Sequence, residues 1–153
     1  HRAVFTEPSG GACAKRSVRN REPVSQSTFS SMSDFESLAE AQEAVVRFRE
    51  ERDWAQYHTP RHLSSAISIE AGELQETLLW ETDEEIASML EAPGQKEEIA
   101  EEVADVLILA LLFCHEAGID PLEAIGRKLS KNASKYPADE ARGSSEKYTD
   151  LQG

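Results

Sequence analysis

A chain of 153 residues, 39% apolar and 29% charged, has the size and mix of one soluble domain able to bury a real core. Its longest apolar run, Val106 to Cys114, is far too short for a transmembrane helix. Sixteen basic residues against 29 acidic ones give a formal charge of −13, which repels a phosphate backbone and sets aside a nucleic-acid polymer as partner; a small anionic substrate stays open, because a bound divalent cation inverts the local field.

Residues 1–31 carry Arg2, Lys15, Arg16, Arg19 and Arg21 against Glu7 and Glu22, a net +3 that leaves −16 for the rest. They show no apolar period and are read as a disordered leader. They are either an organellar transit peptide or an upstream extension ahead of a true start at Met32. The second reading goes with a cytoplasmic protein, the first with an organellar one. Cys13 and Cys114 lie far apart and read as free thiols rather than a disulfide or a metal pair.

A helical domain is expected over 32–137. Asp34 is a candidate cap for a first helix reaching about Tyr57, with Phe35, Leu38, Ala41 or Ala44–Val45, and Phe48 on one face; Arg49, Glu50, Glu51, Arg52 and Asp53 supply the polar side. Thr59-Pro60 opens a second helix to about Trp80. Asp83 to Glu91 forms a short helix that Pro93-Gly94 breaks. A third main helix runs from about Gln95 to Ala117 and stops at Gly118. Asp120-Pro121-Leu122-Glu123 starts a fourth, ended by Lys135-Tyr136-Pro137. No strand pattern occurs. The fold class is all-α, a bundle of four main helices, followed by a polar tail over 138–153.

Acids stand where a core is expected. On the second helix Glu70 interrupts the stripe Leu63, Ile67, Leu74, Leu78, and Glu73 follows one turn on; carboxylates at i and i+3 share a face and repel. The third main helix is apolar on every side from Val103 to Phe113 except at Asp105, with Glu102 three residues before it. A helix apolar all round is buried by its neighbours, and an ion left unpaired in an interior costs several kcal/mol. Two acidic pairs on apolar faces make an oxygen-only site for hard cations, Mg²⁺ or Mn²⁺, with room for two or more ions and an anionic substrate. A di-iron bundle needs Glu-x-x-His on two helices, and the sequence has none.

Glu70-Ala-Gly-Glu73 followed by Glu102-Val-Ala-Asp105 resembles the E-x-x-E … E-x-x-D pattern of the MazG-like all-α nucleoside triphosphate pyrophosphohydrolases. Glu51-Arg-Asp-Trp54-Ala-Gln-Tyr57-His58-Thr-Pro-Arg61, Asn132-Ala-Ser-Lys135-Tyr136-Pro137 and Arg142-Gly-Ser-Ser-Glu-Lys147-Tyr148 resemble the dCTP pyrophosphatase branch, so the likeness extends from Phe35 to Leu151. It implies a four-helix MazG-like bundle that converts dCTP or modified, non-standard nucleotides to the monophosphate plus pyrophosphate. Mg²⁺, with Mn²⁺ as substitute, is then held by Glu70, Glu73, Glu102 and Asp105, and Glu70 orients and deprotonates the attacking water. Trp54, Tyr57, His58 and Trp80 are expected to line the base pocket. Lys128, Asn132, Lys135, Arg142, Lys147 and Tyr148 are expected to meet the phosphates. His62, Leu109 and Val45 stand where relatives more often, or in some members, carry Asn, Tyr and His. One helix apolar all round needs cover, so a homodimer or homotetramer is expected. The alternative from another class is a non-catalytic helical module that binds nucleotide or mediates oligomerisation.

Overall fold

The structure, a computed structural model, describes residues 35–143. The leader 1–31 with Cys13, the cap Asp34, and the phosphate candidates Lys147 and Tyr148 lie outside the described residues. Among those described the chain is all helix: α1 (Leu38–Glu51), α2 (Pro60–Leu78), α3 (Asp83–Glu91), α4 (Pro93–Ala117), α5 (Pro121–Lys135) and α6 (Ala138–Ala141). No strand occurs among them, and no helix is long and apolar enough to cross a membrane.

Most boundaries follow local chemistry. Ser37 caps α1, its Oγ accepting the Glu40 N–H at 3.2 Å. Thr59 caps α2, where Pro60 takes the first position and forfeits no intrahelical bond. Thr82 and Glu85 form a reciprocal capping box on α3. Asp120 caps α5 through the Glu123 N–H at 2.9 Å. Gly118 closes α4 in the left-handed region at φ 63°, a conformation that costs glycine nothing.

Three expectations are corrected. The first helix ends at Glu51 rather than near Tyr57: the Arg52 guanidinium takes the Phe48 carbonyl at 2.9 Å, the Arg52 amide turns to the Arg49 carbonyl at 3.2 Å, and Asp53 adopts φ 56°. With the side chain supplying the bond the backbone no longer makes, the chain reverses and resumes as a 3-10 turn over Ala55–Tyr57. Pro93 begins α4 instead of breaking the chain, because a proline at the first helical position loses no bond. Ala138–Ala141, read as tail, adds a short helix.

Helix α4 is the hub, packed most extensively against α2 and then against α1 and α3. Leu63 of α2 and Leu112 of α4 are the largest fully buried side chains, with Ala44, Ala66, Ile99 and Leu109 around them. Gln42 of α1 reaches across to donate to the Leu111 carbonyl at 3.0 Å. Among the described residues α4 is not covered on all sides: Val103 and Leu107 are exposed. Helix α5 buries none of its residues and packs sparsely, so the described part is not a closed four-helix bundle.

Candidate active site

The α2–α4 pair brings the predicted acids together. Glu70 of α2 and Glu102 of α4 are buried, at 5% and 8% exposure, and Asp105 of α4 is half-buried. One oxygen from each lies within 4.8 Å of the others. Glu73, half-buried one turn beyond Glu70, stays outside that close group, yet its charge bears on all three. Burial, first, and the neighbouring carboxylates, second, push the Glu70, Glu102 and Asp105 carboxyls above the usual carboxylate range. A fold that only needed a core gains nothing from such a group.

The donor set fits a hard divalent cation. It is oxygen-only, mutually repelling and fixed on two packed helices.

The base-side candidates divide. Trp54 is half-buried and His58 buried, with their rings edge to face at 6.3 Å, and Phe48 extends the row at 6.0 Å from Trp54. The Arg52 guanidinium caps this row, 3.5 Å over the Phe48 ring and 5.9 Å from that of Trp54. Burial, followed by the Arg49 charge, lowers the His58 pKa and keeps its imidazole neutral near pH 7. Tyr57 is exposed beside them, and its carbonyl lies 3.1 Å from Nδ1 of His62. Trp80 is separate: it follows the end of α2, is 85% exposed, and makes no ring contact among the described residues.

Lys128, Asn132 and Lys135 lie on α5, Lys128 exposed and the other two half-buried, and Arg142 is exposed after α6. Because α5 packs sparsely, the described residues do not fix these side chains against the acids. Leu109, one turn beyond Asp105, is buried at 3%, and Val45 on α1 is half-buried. Cys114 is a half-buried free thiol.

Sequence reading missed Arg49, assigned to the polar side of the first helix. It is 3% exposed and holds Glu116 of α4 and its neighbour Glu50, each at 2.6 Å. The available signal was register, since Arg49 follows Val45 by one turn on the apolar stripe.

The chain's relatives agree with one another. The sequence profile of the MazG-like family matches residues 65–151. The bovine protein named dCTP pyrophosphatase 1 is 36% identical over 121 residues, 79% of this chain and 72% of that one. Its human counterpart is 37% identical over 115 residues, 75% of this chain and 68% of the other. A crystal structure of a pyrophosphatase from Archaeoglobus fulgidus superimposes with a TM-score of 0.60 at 44% identity, covering 65% of this chain and 91% of its own.

Proposed function

The chain belongs to the MazG-like family, and from that membership we propose that it is a Mg²⁺-dependent nucleoside triphosphate pyrophosphohydrolase. Its substrate is dCTP or a modified deoxynucleotide, cut between the α- and β-phosphates to the monophosphate and pyrophosphate, a reaction that clears such nucleotides from the pool. The supporting observation is the buried group of Glu70, Glu102 and Asp105, charged residues that fold stability alone does not favour. The named activities of the bovine and human relatives supply the substrate class.

Glu70, Glu73, Glu102 and Asp105 would hold the metal, which when bound supplies positive charge for the triphosphate and makes water a better nucleophile. Glu70, the first acid of the set, would orient that water and accept its proton. Trp54, Tyr57 and His58 form the base-side wall. Trp80, which stands apart from that row, would contact the base separately, and Lys128, Asn132, Lys135, Arg142, Lys147 and Tyr148 would meet the phosphates.

The oligomer belongs to the same reading. Leu122, Ile125 and Leu129 stand on α5, Val103 and Leu107 on α4, and Ile69 on α2 beside Glu70, all exposed. A second copy covers these faces in a homodimer, alone or paired into a tetramer, and brings α5 over the acids. Incubation with a panel of deoxynucleoside triphosphates and Mg²⁺, with product separation, tests the activity: pyrophosphate release supports it, and orthophosphate release, or tight binding without product, contradicts it.

A further inference from the structure

Arg49 sits in the last turn of α1 with only 3% of its surface exposed. Its Nη1 donates to Oε1 of Glu116 in the last turn of α4, and its Nη2 to Oε1 of Glu50, each at 2.6 Å. Its Nε has no acceptor among the described residues. Its carbonyl accepts the N–H groups of both Arg52 and Trp54, each at 3.2 Å. One residue therefore grips α4 with its side chain and the Arg52–Trp54 turn with its main chain.

Stability alone does not account for this arrangement. A buried guanidinium gives up its hydration, and a well-packed apolar side chain often replaces such an ion pair at no loss. What the ion pair adds is registry. The acids Glu102 and Asp105 stand on α4, while Trp54 and His58 stand on the segment between α1 and α2. Gln42 fastens α1 to α4 higher up, at Leu111. The Arg49–Glu116 bond fastens the end of α1 where the aromatic segment departs, and Phe48, next to Arg49, begins the row that runs through Trp54 to His58.

We propose that Arg49, through its buried bond to Glu116, is a positioning residue that sets the Trp54–His58 wall against α4 and so fixes where the nucleobase lies relative to the acids. The inference rests on the base-side reading given above. Arg49 itself does not touch substrate. Stacking on an aromatic ring contributes to base binding, so a displaced wall weakens it and raises KM about five- to tenfold while leaving the acids and kcat in place.

The test uses the full chain with Arg49→Met, Arg49→Lys, Glu116→Gln and Trp54→Ala, assayed with dCTP and Mg²⁺. Arg49→Met and Glu116→Gln are expected to raise KM about five- to tenfold with kcat within about twofold. Arg49→Lys restores part of the loss, and the Arg49→Met, Glu116→Gln double variant is no worse than either single one. In a Trp80→Phe background, Trp54 emission shifts to the red in Arg49→Met while far-UV helicity is unchanged. If Arg49→Met does not fold, Glu116→Gln carries both readouts. A lower Tm with unchanged KM and unchanged Trp54 emission overturns the proposal and leaves Arg49 a structural ion pair. Trp54→Ala separates the two levels: an unchanged KM there removes the base-side reading itself, whereas a raised KM with no effect of Glu116→Gln removes only the role of Arg49.

Discussion

Glu70, Glu102 and Asp105 are held against one another and away from water by the helices that carry them. Their carboxyls are pushed above the ordinary range, so over the interval above that range the native chain binds more protons than the unfolded one. Stability at this site is therefore present at low pH and lost as pH rises through the raised values. Two outcomes follow. In metal-free protein, Glu70→Gln or Asp105→Asn raises Tm by a few degrees, and the gap from wild type widens as pH climbs from acid toward neutral, as thermal melts over a pH series would record. Titration with Mg²⁺ reverses the order, because wild type gains stability with metal and the variants gain much less. These acids were legible in the sequence, since a carboxylate inside an apolar stripe stands out against its neighbours. Arg49 was not, because in a run of five charged residues nothing distinguishes the one that faces inward except its register with Val45.

At the scale of single helices, the chemistry of caps was readable and the chemistry of Arg52 was not. Thr59-Pro60, Asp83 to Glu91, Gly118 and Asp120-Pro121 act through bonds between near neighbours, and the sequence contains all the parts. The end of α1 depends on a side chain replacing a backbone donor at the Phe48 carbonyl, which residue spacing does not reveal. Asp53, at φ 56°, carries the resulting strain. Asp53→Gly is expected to leave stability equal or slightly higher, and Asp53→Val to lower it by about 1–2 kcal/mol, as urea unfolding would measure. Gly118→Ala meets open space at its Cβ but keeps φ 63°, so its loss of about 1 kcal/mol is conformational rather than steric. Leu112→Ala, in the fully buried layer, is expected to cost about 2–5 kcal/mol.

At the scale of the whole molecule, α4 exposes Val103 and Leu107, and α5 exposes Leu122, Ile125 and Leu129. The residue pattern of α4 is apolar all round from Val103 to Phe113 apart from Asp105, and among the described residues its cover is only partial, because α5 packs sparsely. Leu107→Glu or Leu129→Glu is expected to shift the sedimentation coefficient to that of a monomer and to reduce turnover with it; a wild-type chain that sediments as a monomer at micromolar concentration contradicts the assembly. On the proposed reading the clustered acids, once loaded with metal, support cleavage of a nucleoside triphosphate between its α- and β-phosphates. The direct measurement is ³¹P NMR of dCTP incubated with the protein and Mg²⁺, run beside Asp105→Asn and a chelated control. Wild type is expected to give dCMP and pyrophosphate in equal amounts, and the two controls neither. Appearance of dCDP with orthophosphate, or full turnover by Asp105→Asn, would contradict it.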